Sequence, residues 1–421
     1  MELCDYVRTN KVARSLAGKY LLASSLLRPA STSTESTARL QRLCRAARQS
    51  TSTSAMISAE RTMMRILNGL DPRDLDWQSV ARECKTPRVE KGAILKPFLG
   101  VQEKGIIFVS FEDQLLRLLN APLERLAEQF AVVVSPTWSP PHHIILSAFP
   151  RLFPGHLFTL ISNHDDVAII PRLSPRYTVI PLYASSWVNP DYYAPRPKQD
   201  RDIDLLMVAN FGTYKRHFAF FKALRRMPTG LTIVLIGQEQ DGRTRDTILN
   251  EARLYGVADR VDVRCNVTNE DLSDAICRAK ATTIFSMREG SCVVVAESLF
   301  GDTPVALLAN AAIGSKAFIN DETGRLINPA NVSEELYEFL NTADRYSPRA
   351  WADKNISCSV STAKMNGILR HAALEREETW TQDIATLCWR PNPRLPFELD
   401  RRRLAAEYAR VKDEFGLEFL L

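Results

Sequence analysis

Short apolar runs at 203–208, 231–236, 261–264, 281–286, 304–308 and 324–327 alternate with stretches of helical spacing at 216–226, 243–255, 270–279, 292–300 and 333–341. This alternation constrains the fold more than composition does. A strand buried on both faces reads as a nearly unbroken apolar run, as in Ile203-Asp204-Leu205-Leu206-Met207-Val208. Each parallel neighbour then requires a crossover, usually a helix. The spacing predicts a doubly wound parallel sheet, with Asn269 and Ser333 as helix N-caps and Gly237, Gly256 and Gly301 closing elements. Ligands of such sheets bind outside the carboxyl ends of the strands, so the strand-to-helix loops are the places to search.

The preceding region carries a sparser version of the same pattern. Strands are expected at 105–110, 131–135, 157–161 and 178–181, with helical spacing at Leu115, Leu118, Leu119, Leu123 and Leu126 between the first two. Proline-punctuated polar sequence at 189–200 reads as a linker. The expected domains are an extension over 1–92, a smaller Rossmann-like unit over 93–196, a larger one over 197–345, and a helical tail over 346–421 that packs back on the body. Residues 11–53 are rich in Lys, Arg, Ser and Thr, with Glu35 as their one acid. That bias predicts a disordered extension, or a start nearer Met56, Met63 or Met64, with order beginning near residue 60; an organellar transit peptide is the alternative.

At 421 residues, with 45% apolar and 24% charged side chains, the chain reads as globular with more than one core. No run approaches the roughly 20 apolar residues that span a bilayer. The net charge of +5 suits an anionic ligand or an acidic membrane surface and does not call for nucleic acid. Eight cysteines without a Cys-x-x-Cys pair are expected to be reduced thiols, which points to a cytoplasmic protein, with peripheral contact at the inner face of the membrane allowed for.

The chemistry concentrates in Ser286-Met287-Arg288-Glu289-Gly290-Ser291-Cys292-Val293-Val294-Val295-Ala296-Glu297. Glu289 falls in a loop after a strand and Glu297 inside the helix that follows. Gly290 lets the backbone approach a ligand closely. The first amides of the helix, with its dipole, make a seat for a diphosphate, and carboxylates accept from the hydroxyls of sugar and ribose. Val293-Val294-Val295 favours a strand by propensity, and the surrounding alternation outvotes it.

This segment resembles the group-1, or family-4, glycosyltransferases of GT-B fold. The run Ser-x-x-Glu-Gly, the gap to the second Glu, then Gly301-Asp302-Thr303-Pro304-Val305 and Thr323-Gly324 carry the resemblance over residues 203–345. It implies an α/β chain with two Rossmann-like, doubly wound domains facing a cleft. It implies a glycosyltransferase that moves a hexose-like sugar from a nucleotide-diphosphate-sugar, with retention and without a metal or other cofactor, in carbohydrate or cell-envelope glycan biosynthesis. Glu289 would bind hydroxyls of the transferred sugar, and Glu297 the ribose. Gly290, Ser291 and Cys292 would offer amides to sugar and phosphate. Lys215 fits the Lys of the diphosphate clamp; Asn210 stands where the family's Arg is expected, and Arg216 is the substitute. Gly212 belongs to the same loop, and the backbone from Arg264 to Val267 would face the base.

The smaller unit would supply the acceptor side, for a glycan, a lipid-linked acceptor or a small molecule. Ser135-Pro136-Thr137-Trp138-Ser139-Pro140-Pro141-His142-His143 follows a strand, so His142 or His143 could reach the reacting centre and Trp138 could stack on a sugar; His164 is a weaker candidate. Asp202-Ile203-Asp204 matches a metal-binding Asp-x-Asp, but it stands at the wrong end of its strand. No dinucleotide or P-loop motif is present, and His and Cys show no zinc spacing. The rival readings are a nucleotide-sugar epimerase of the same fold and a non-catalytic module that binds sugar nucleotides or glycans.

Overall fold

The computed structural model describes residues 2–27, 32–81, 86–136, 141–390 and 392–421. The chain divides into two compact units, one of residues 6–187 and 361–421, the other of 1–5 and 188–360.

The first unit holds a five-stranded sheet: β1 (Gly92–Lys96), β2 (Gly105–Ser110), β3 (Phe130–Ser135), β4 (Leu157–Ile161) and β5 (Tyr177–Tyr183), ordered as in the chain. β1 runs antiparallel to β2 and the rest are parallel. The edge strand β1 is absent from the sequence expectation because Pro97 and the buried charge of Lys96 disguise it. Lys96 is fully buried and paired to Glu103 at 2.8 Å. The helix Glu398–Phe415 covers this edge: Tyr408 accepts from the Ile94 amide at 3.0 Å, and Glu407 from that of Phe98 at 3.0 Å. A covered edge cannot recruit a foreign strand.

The Ser/Thr-rich stretch is not an unfolded extension. Helices Lys11–Leu27, Ser33–Gln49 and Thr53–Asn68 run through it. Leu40, Leu43, Cys44, Met63 and Leu67 join the main apolar core. Thr32, one of the polar residues that suggested disorder, acts as a cap. Thr32 accepts from the Glu35 amide at 3.2 Å, and Glu35 accepts from the Thr32 amide at 3.0 Å, so the lone acid closes a capping box.

The second unit holds six strands: β6 (Ile203–Val208), β7 (Ile233–Gly237), β8 (Val261–Cys265), β9 (Ala279–Ile284), β10 (Val305–Leu308) and β11 (Gly324–Ile327). All neighbours are parallel, in the spatial order β11-β10-β9-β6-β7-β8. The order reverses between β6 and β9. That pair forms a topological switch point, where open α/β sheets hold their ligands. The result is the α/β architecture of Rossmann-like sheets that the resemblance implied.

The motif residues outside the loop turn out to be braces. Thr303, fully buried, donates to the Ile276 carbonyl at 2.7 Å, and Thr323 to that of Phe318 at 2.6 Å. A Cβ at Gly324 would stand 2.1 Å from the Val305 carbonyl oxygen, so β10 and β11 approach each other only over glycine. The caps fall beside the expected residues. Thr268 caps the helix Asn269–Arg278, accepting from the Asp271 amide at 3.1 Å; Asn331 precedes the helix Val332–Asn341, and Ser333 instead donates to Ala223.

Candidate functional site

Two loops meet at the switch point. The first leaves β6 through Ala209 and turns at Asn210. The Asn210 side chain accepts from the Gly212 amide at 3.3 Å and donates to the Tyr214 hydroxyl at 2.9 Å. Asn210 therefore builds the turn. Gly212 is needed there, since a Cβ would lie 2.6 Å from the Tyr214 ring. A turn over Thr213–Lys215 leads to Arg216, which takes the left-handed conformation (φ 58°) and starts the helix His217–Leu224.

The second loop leaves β9 at Phe285 and carries Glu289. It is laced to the loop after β10 by main-chain bonds: the Glu289 amide to the Ala312 carbonyl at 3.1 Å, the Ala312 amide to Met287 at 2.8 Å, and the Gly314 amide to Gly290 at 2.6 Å. Cys292 ends the loop with φ 46°, and the helix Val293–Phe300 begins there without a side-chain cap. An uncapped start leaves its first amides facing the loop. The β-branched triplet Val293-Val294-Val295 is helical after all.

The loops are tied by one ion pair. Lys215 Nζ lies 2.7 Å from Glu289 Oε1, and the two side chains are only 11% and 7% exposed. Burial works to lower the Lys215 pKa, and Glu289 first, with Cys292 and Tyr214, together more than reverse it, so the ammonium is held charged. The Cys292 thiol is pushed up first by burial and then by Glu289, with Glu297 adding to the effect. Both acids thus lie close enough to the Cys292 thiol to act on it. Glu297 is half-buried in its helix, while Gly290 and Ser291 are buried between the two acids.

Arg216 completes the cluster. Its Nη1 donates to the Phe285 carbonyl at 3.1 Å, from the β6 loop across to the end of β9. Its Nε lies 3.0 Å from Asp5 Oδ1. Arg264 stays outside the cluster: it is on β8, two strands from β6, and pairs with Asp262 at 2.7 Å. At the opposite end of β6, Asp202 is paired to Arg278 and Asp204 to Lys280, so the Asp-x-Asp sequence serves as a set of surface ion pairs.

One residue that sequence reading passed over lies directly beneath. His217 is 1% exposed and meets the Phe211 ring edge-on at 5.9 Å. Burial, with the nearby Arg243 charge, pushes its pKa down to about 3. A His opening an apolar helix after Lys-Arg was the available signal.

In the other unit, His142 is 1% exposed and its Nε2 lies 2.7 Å from Glu60 Oε1. Glu60 in turn holds Arg172 through two contacts, at 2.8 and 3.0 Å. His142 is thereby tied to the helix Thr53–Asn68 through Glu60, and it is Glu60 that links that helix to the helix Asp166–Leu173. His143 caps the helix Ile144–Leu152, accepting from the Ile145 amide at 3.3 Å, with Nε2 3.8 Å from Glu112. Burial lowers its pKa despite Glu112. Trp138 lies outside the described residues, and His164 is exposed.

No described helix is long and apolar enough to cross a membrane. Comparison with curated proteins finds no match. Among solved structures, the chain is similar to sucrose-phosphate synthase from Thermosynechococcus elongatus, at 17% identity over 64% of this chain and 74% of that one, with a TM-score of 0.49. It is similar to Anabaena Alr3699/HepE in complex with UDP, at 13% identity over 63% and 78%, with a TM-score of 0.49. For WaaG, a glycosyltransferase involved in lipopolysaccharide biosynthesis, the values are 17%, 52%, 62% and 0.40. The family model for glycosyl transferases group 1 matches residues 190–343, a stretch that contains both switch-point loops. Residues 190–343 are therefore recognised as a group-1 glycosyltransferase segment.

Proposed function

We propose that this chain is a glycosyltransferase that takes its sugar from a nucleotide-diphosphate-sugar and passes it to a glycan, a lipid-linked acceptor or a small molecule, with retention and without a metal. The observation that carries the reading is the buried Lys215–Glu289 pair at the switch point of the matched segment. An ammonium has three protons. With one on Glu289, Lys215 keeps two for phosphate oxygens. Glu289, which also bonds the Cys292 thiol, would accept from sugar hydroxyls through its remaining lone pairs, and Glu297 from the ribose. The amides of Gly290, Ser291 and Cys292, which fall between the two acids in the sequence, would serve sugar and phosphate.

Bond cleavage between sugar and phosphate leaves negative charge on the departing diphosphate. Fixed cations and helix amides stabilise such charge without reorganising, which is where catalysis of this step would come from. Lys215 and Arg216 fill that role.

The test is a thermal-stabilisation screen of nucleoside diphosphates, followed by donor turnover with the best base. Binding to the native state alone raises the melting point. A screen with no stabilising nucleotide would remove the proposal. Asn210 as a turn-builder and Arg216 paired to Asp5 favour one second reading, a module that binds sugar nucleotides without turning them over. Hydrolysis of the donor in the absence of acceptor would dismiss it.

A further inference from the structure

A third carboxylate stands at the switch point, and it comes from the far end of the sequence. Asp5 Oδ1 meets Arg216 Nε at 3.0 Å, with side chains 16% and 17% exposed. On the same helix, Glu2–Thr9, Glu2 accepts from the Tyr255 hydroxyl at 2.9 Å and lies 3.5 Å from Lys222 Nζ. Residues three apart share a helix face. Two acids on one face therefore meet two cations, Arg216 and Lys222, at the start and along the length of the helix His217–Leu224. Arg216 also bonds the end of β9, so the Asp5 carboxylate sits in the region where a sheet of this topology holds its ligand. A carboxylate offers a guanidinium acceptor oxygens much as a phosphate does. Lys215 on Glu289 and Arg216 on Asp5 are each matched by one of the chain's own acids.

We propose that Glu2 and Asp5 form an acidic plug seated on the diphosphate site, and that a nucleoside diphosphate must displace Asp5 from Arg216 to bind. The inference rests on the donor reading above. The exchange makes and breaks no covalent bond; one anion replaces another, and the ligand with more charge prevails.

The experiment compares the full chain with its Glu2→Gln/Asp5→Asn variant, both titrated with inorganic pyrophosphate and with UDP, ADP and GDP. Amides keep the size of the acids, so the fold is retained. The variant is expected to bind pyrophosphate about two- to fivefold tighter, the scale of one partly exposed ion pair. That gain is expected to vanish when Arg216→Gln is added to both chains. In the native chain, pyrophosphate is expected to speed tryptic cleavage after Arg8. Equal and measurable affinity in the two chains overturns the plug and leaves the donor reading standing. Absence of binding by either chain, to pyrophosphate and to all three nucleotides, overturns both.

Discussion

Lys215 on the β6 loop and Glu289 on the β9 loop form a 2.7 Å ion pair that bridges the reversal in strand order. The pair is shielded from water, so neither partner can be removed without leaving the other's charge exposed to a poor solvent. Lys215→Met is expected to destabilise the unit by about 3–5 kcal/mol, whereas the double variant Lys215→Met/Glu289→Gln recovers most of that loss. Donor turnover should be lost in both. Urea midpoints and an activity assay on the two variants separate the structural contribution from the chemical one.

Glu297 is assigned to ribose hydroxyls. A hydrogen bond to a charged group contributes about 1.5–3 kcal/mol, so Glu297→Ala is expected to weaken nucleotide binding roughly 10- to 150-fold. Calorimetry on the folded variant checks it, and unchanged affinity would remove the assignment.

Cys292 holds φ 46° at the start of the Val293–Phe300 helix. Cys292→Gly relieves the left-handed strain while losing the thiol's contacts and adding unfolded-state entropy, so its stability is expected to stay within about 1 kcal/mol of native. Cys292→Val places a branched Cβ in the same conformation and is expected to lose about 1–3 kcal/mol. Equal midpoints for the two variants would contradict the backbone argument.

His217 makes stability depend on acid. Its folded pKa of about 3 lies below the value near 6.5 of an exposed imidazole. Between those values the unfolded chain binds the proton and the folded chain does not. The contribution of His217 is therefore complete above pH 6.5 and declines as pH falls toward 3, by about 1.4 kcal/mol per unit. His217→Phe is expected to show a shallower fall in urea midpoint from pH 6.5 to 4.5 than the native chain.

The second unit was largely legible because a parallel sheet writes itself as apolar runs. All six strands fall within two or three residues of their expected places, and Glu289 was found because its loop follows one of those runs. What stayed hidden is non-local or disguised. Asp5 and Arg216 are 211 residues apart, and no local pattern announces their contact. Lys96 concealed an edge strand because its charge is neutralised by Glu103, and the capping role of Thr32 looked like disorder. The contact of His142 was hidden for a similar reason, since its buried partner Glu60 lies 82 residues away.

The lacing of the Glu289 loop has an evolutionary corollary. Its bonds to Ala312 and Gly314 run between main-chain atoms, which every residue except proline supplies in full. Ala312 is also exposed. Its side chain can therefore vary from one descendant to the next while the main-chain bonds that anchor the neighbouring carboxylate persist.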